Sequence, residues 1–305
     1  MASACHELVP QRRAQPQHLW RASSRKLTLL RRPRSRSIGE GGDARNYLSS
    51  WAALGAFLAL ASLVAGALPA QAEVSQGPNL RVIFKGRLTP RALPRTGLAP
   101  VRVAVGATIV PEAGATPPSL REMRVEINRH GHFQLAGLPH CRFEQIQPSN
   151  TANALRACRS SLVGRGHFSS TVLQPDAAPF PSDGTIYAFN GTYKGKPAIL
   201  AHIYGTEPIP VSYTIPFILS RARGTYGTTL TATMPNFGQE WGFITGLSLN
   251  LGRSFTADGV RRSYLVAGCP APRGFATASF DFARATFSFG AARVSSVLSR
   301  SCRAR

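Results

Sequence analysis

The chain has 305 residues, with 36 Lys and Arg against 14 Asp and Glu and a formal net charge of +22. The bases are scattered rather than gathered into dense runs, which argues against a specific nucleic-acid partner, and the few acids leave little material for a carboxylate-lined cleft. A charge of this size still draws polyanions, so the expected partners are anionic cell-envelope polymers or lipid headgroups, held weakly and released by salt.

Residues 1–47 carry ten bases against three acids and show no apolar periodicity, so they are expected to be a disordered basic leader. An overlong reading frame with an internal start explains it; a cytoplasmic tail ahead of an anchor is the alternative. Residues 48–72 read as a signal peptide. No charge occurs from Trp51 to Leu68, Pro69 breaks the helix, and Ala70 and Ala72 supply the small-x-small cleavage signal before Glu73. Residues 51–70 are just long enough to span a bilayer, so a membrane anchor is the alternative, although Gly55, Ser62 and Gly66 make the run weakly apolar for one. The expected location is secreted or at the cell envelope. Cleavage leaves 73–305 as a single domain, whose 26 bases and 11 acids give a net charge of +15.

Alternating apolar and polar positions recur through that domain. "NLRVIFKGRL" and "VRVAVGATIV" come first, then "REMRVEIN", which turns through "RHGH" into "FQLAGLP" and reads as a hairpin. "HFSSTVLQ", "TIYAFNG", "PAILAHIYG", "VSYTIPFILS", "TTLTATM", "ITGLSLNLG", "RSYLVAG", "ATASFDF" and "ATFSF" continue the pattern. "TIYAFNGTYKGKPAILAHIYG" is the clearest hairpin, with turn formers throughout "NGTYKGK". The expected fold is all-β: an antiparallel β-sandwich, or alternatively a barrel. One stretch departs from it. "PSNTANALRAC" reads as a short helix after Pro148, with Ser149 as its N-cap.

Cys5 falls in the leader, and Cys141, Cys158, Cys269 and Cys302 remain. Four cysteines allow three pairings, and without CxxC or paired histidines a disulfide framework is the better reading than zinc. Cys141 with Cys158 would bracket the helical insertion, and Cys269 with Cys302 would tie the C-terminal segment to the end of "SYLVAG".

"EINRHGHFQLAGLPHC", "ALRACRSSLVGRG", "YAFNGTYKGKPAILAHIYGTEPIP", "SYLVAGCPAP" and "ARATFSF…LSRSC" together resemble a group of secreted, β-rich proteins from high-GC actinobacteria. The resemblance covers most of residues 79–303 and implies export and a β-rich fold. It implies no activity, cofactor or catalytic residue.

No nucleophile elbow, HExxH, P-loop or complete dinucleotide glycine pattern occurs, so no catalytic residue and no cofactor is assigned. "GRGHF" at 164–168 is a weak glycine signal, better read as the start of a strand. His130 and His132 flank Gly131 in an expected turn, too few ligands for a metal, and His202 reads as a packed core residue. Glu122 and Glu126 share the polar face of their strand with Arg124, which predicts ion pairs rather than a glycosidase pair. Tyr187, Phe189, Tyr193, Tyr204, Tyr213 and Trp241 offer either a stacking platform or core filling. Among them Tyr193, with Lys194 and Lys196 beside it in the hairpin turn, is the best candidate binding site. "NGT" at Asn190 fits a glycosylation acceptor but reads as a turn. A binding or structural module at the envelope is the expected function, with a hydrolase of envelope polysaccharide or peptidoglycan as the alternative.

Overall fold

The computed structural model describes residues 72–305 except 116, 175–176, 207–209 and 236–241. The basic leader 1–47, the apolar run with Pro69 and Ala70, and Trp241 lie outside the described residues. Ala72 and Glu73 are the first residues of strand β1 (Ala72–Gly77).

The alternating segments form nineteen strands among the described residues. After β1 come β2 (Leu80–Thr89), β3 (Ala92–Leu93), β4 (Ala99–Pro100), β5 (Arg102–Pro111), β6 (Glu122–Asn128), β7 (Gly131–Phe133) and β8 (Cys141–Arg142). Helix α1 (Thr151–Cys158) leads into β9 (Leu162–Gln174), β10 (Ala177–Tyr193), β11 (Lys196–Gly205), β12 (Val211–Arg221) and β13 (Tyr226–Thr233). The last are β14 (Gly242–Leu251), β15 (Ser254–Ala257), β16 (Val260–Ser263), β17 (Leu265–Ala267), β18 (Thr277–Phe289) and β19 (Ala292–Ala304).

The fold is mostly β, and most strands join one curled sheet of half-barrel form, in the order β1-β2-β5-β14-β9-β10-β11-β12-β13-β6-β18-β19-β3, with β8 on β10. A division into two stacked sheets, as a sandwich requires, is not seen in this ladder: its neighbours run on without a break. The ends of the curl lie side by side instead, where Ser75 Oγ donates to Ser295 O at 2.8 Å and Arg300 Nε donates to Gly86 O at 2.7 Å. Glycine permits this approach, because a Cβ on Gly86 would lie 2.7 Å from Leu298 Cδ1. β4-β17-β7 form a small separate sheet and β15-β16 a hairpin.

The inward positions of the curl make the main core. Phe287 and Leu298 are fully buried, and Phe84 meets Phe287 edge-on at 6.2 Å. A second core lies on the outer face of β10 and β11, where α1 covers Phe189, Ala198 and Leu200. This explains why "PAILAHI" is apolar at nearly every position: the strand is buried on both faces. Two disulfides, Cys141–Cys158 and Cys269–Cys302, staple the outer helix and the C-terminal strand.

Three local details differ from the sequence reading. The expected hairpin over 121–139 does not form: β7 pairs with β17, whereas β6 pairs with β13 and β18. Asn128 diverts the chain, its side chain accepting from His130 N and donating to Asp281 O. The N-cap of α1 is Asn150, whose side chain accepts from Asn153 N at 2.9 Å, while Ser149 N donates to Ser212 Oγ. The β10–β11 turn is only Lys194 and Gly195, both at positive φ, so "NGTY" continues the strand.

On the outer face, Glu126 stands directly opposite Arg284 and receives its Nε at 2.6 Å, with Arg124 at 3.4 Å. The Arg284 hydrogen bond holds the Glu126 carboxyl below the usual range, against the opposing effect of burial. A carboxyl lowered on folding stabilises the protein fully above its unfolded pKa and loses that contribution as pH falls through the folded value. Glu126→Gln is therefore expected to cost about 1–2 kcal/mol near neutrality and much less in acid. Urea midpoints from about pH 6 to about pH 3 would check this.

Candidate functional site

The core of the curl is not filled throughout. A cavity gives ≈ 130 Å³ to the centre of a water-sized molecule. That is close to the roughly 150 Å³ which, lined by Leu, Ile and Phe, stays dry and takes up benzene. The alternation of the strands turns apolar side chains toward it. Val103 and Val105 of β5, Val125 and Ile127 of β6, and Leu247 and Leu249 of β14 line the space and keep partial exposure. β7 and β17 contribute another wall, through Phe133, Leu265 and Ala267.

Among the described residues no Asp, Glu, Lys or Arg lines the cavity, and the polar residues that border it are Asn128, His130, His132 and Ser248. Asn128 is committed to His130 N and Asp281 O, and Ser248 Oγ makes a long bond of 3.5 Å to His167 O. His130 is half-buried and His132 exposed, which puts the polar edge of the cavity where β7 meets solvent. Burial first, and then Arg129 and His132, push the His130 imidazole down, so it favours the neutral form near neutrality. Chemically, the arrangement can desolvate an apolar group. No carboxylate or cysteine among the described residues lines the space, and the Ser248 hydroxyl is directed at His167 O rather than at a histidine side chain. Among the described residues, no three His, Cys, Asp or Glu side chains gather as metal ligands.

The hairpin candidates lie elsewhere, on the α1 side of the sheet. Tyr193 is half-buried, its ring 5.0 Å from Phe143, with Lys194 Nζ 5.4 Å from its centroid. Its ring therefore already has partners. Lys196 opens β11 and is exposed. Tyr187 carries Arg165 at 5.4 Å over its ring, and Phe189 is fully buried under α1. Asn190 is buried within β10 and donates to Pro139 O, so it is neither a turn residue nor a surface acceptor. His202 is fully buried beneath the α1 segment, with Nδ1 3.5 Å from Thr214 Oγ1, and burial pushes its imidazole down.

Sequence reading missed the cavity because a strand lining a cavity and a strand filling a core show the same alternation. The available signal was side-chain size: β5 turns Val103, Val105 and Ala107 toward the space, smaller side chains than Phe84 and Leu88 of neighbouring β2.

No protein-family model matches the chain, and no curated protein or solved structure matches it. Among the described residues, no helix is long and apolar enough to cross a membrane.

Proposed function

We propose that this is an exported binding protein of the cell envelope that takes the apolar part of an amphiphilic molecule into the cavity of its curled, barrel-like sheet. The observation that carries the reading is the lining: apolar side chains from many strands surround open space, with His130 and His132 of the β7 segment among its few polar residues. Filling such a space removes apolar ligand surface from water with little cost in displaced, well-bonded solvent. Among the described residues no carboxylate or cysteine lines the space to serve the alternative, hydrolytic reading. Export is supported by the Ala70–Ala72–Glu73 cleavage signal, by the resemblance to secreted actinobacterial proteins, and by two disulfides, which suit an oxidising compartment.

The test is uptake of a neutral apolar dye such as N-phenyl-1-naphthylamine, followed by displacement with straight-chain fatty acids of increasing length. Affinity is expected to rise by roughly fourfold per added methylene until the space is full, then level off. Val105→Trp, which places an indole in the cavity, should abolish uptake with unchanged circular dichroism. Equal uptake by the wild-type and Val105→Trp proteins would place the dye outside the sheet and end this reading.

A further inference from the structure

Three segments far apart in the chain meet outside the small β4-β17-β7 sheet: residues 90–98, residues 268–276 and the end of β19. Backbone bonds sew them together. Arg303 N donates to Arg91 O at 2.9 Å, Cys269 N to Pro94 O at 2.9 Å and Ala304 N to Ala276 O at 2.8 Å. The Cys269–Cys302 disulfide crosses the same junction, and the Arg95 guanidinium donates to Pro272 O and Phe275 O at 2.6 and 2.9 Å.

This platform presents Phe275 at 64% exposure and Leu98 at 48%, the two held on adjoining loops. Arg91, Arg95, Arg273 and Arg303 are exposed on the same segments, which contain no Asp or Glu. A large aromatic on an irregular loop gains nothing from water, and guanidinium groups without acids repel one another. Both conditions are relieved by one kind of surface, in which phosphates lie above hydrocarbon. A polysaccharide or nucleic acid would satisfy the arginines but give Phe275 and Leu98 no apolar environment.

We propose that this platform docks the protein on an anionic lipid membrane, with Phe275 and Leu98 entering the headgroup boundary and Arg91, Arg273 and Arg303 contacting phosphates. The inference stands on the loops and not on the cavity reading, and the two fail separately: dye uptake reports the cavity, vesicle binding reports docking.

The test is cosedimentation of the disulfide-bonded protein with vesicles of phosphatidylglycerol and phosphatidylcholine, beside vesicles of phosphatidylcholine alone and retention on a heparin matrix. Binding is expected on the anionic vesicles and not on the neutral ones. Arg273→Gln should weaken it by roughly fivefold. Phe275→Asn should weaken vesicle binding by about tenfold and leave heparin retention unchanged. Unchanged vesicle binding by Phe275→Asn would overturn the proposal in favour of a soluble polyanion. Absence of binding to anionic vesicles by the wild-type protein would overturn it outright.

Discussion

Replacing Cys269 and Cys302 together by Ser is expected to lower stability by about 4 kcal/mol, and replacing Cys141 and Cys158 by about 3 kcal/mol. The difference follows from sequence separations of 33 and 17 residues, since the longer loop keeps more freedom when the chain unfolds. Urea midpoints without reductant, compared across the two double variants, measure it. The two losses should also differ in kind. Cys269–Cys302 holds the loops outside the small sheet, so its removal should loosen the cavity wall formed by β17 and shorten dye residence. Cys141–Cys158 lies on the opposite face of β10, and its removal should leave dye residence unchanged. Equal effects on dye residence would show that the small sheet is not part of the cavity's containment.

Gly166→Ala is expected to cost more than about 3 kcal/mol and to leave little soluble protein. A Cβ on Gly166 would lie 1.9 Å from Ser248 O, and one on Gly164 would lie 2.5 Å from Asn250 O. Both obstacles are backbone atoms of β14, which cannot rotate away as a side chain would, so the β9–β14 ladder itself must part. Gly184→Ala in neighbouring β10 is the control, because its nearest atom is Tyr204 O at 3.5 Å, an ordinary contact. Soluble yield and thermal midpoint of the two variants decide the matter. A Gly166→Ala protein as stable as Gly184→Ala would mean that the two strands do not lie this close.

The glycines show how the sequence was legible and where it was not. Strand existence could be read residue by residue: "NLRVIFKGRL" announces β2 because Leu80, Val82, Phe84 and Leu88 turn one way and Arg81, Lys85 and Arg87 the other. Pairing could not be read, because it depends on distant partners. β5 joins β14 across more than a hundred residues, and Asn128 sends β7 to β17 through a hydrogen bond to Asp281, far along the chain. "GRGHF" looked like a weak motif, yet its glycines are demanded by the approach of β14, which nothing local records. Charge behaved in the same way. Arg91, Arg273 and Arg303 stand far apart in the sequence and come onto adjoining segments only when the C-terminal strand returns beside β3. The apolar cavity was hidden for the opposite reason, since its lining obeys the core pattern at every position.

Location of a bound apolar molecule tests the account most directly. The protein would be equilibrated with a medium-chain fatty acid carrying a diazirine at its methyl end, irradiated, digested and mapped by mass spectrometry. The account predicts label on inward residues of β5, β6 and β14, with Val105, Ile127 and Leu249 foremost, and loss of that label when unmodified fatty acid competes. Label confined to the outer faces of the sheet, or indifferent to competitor, would contradict a binding cavity within the curl.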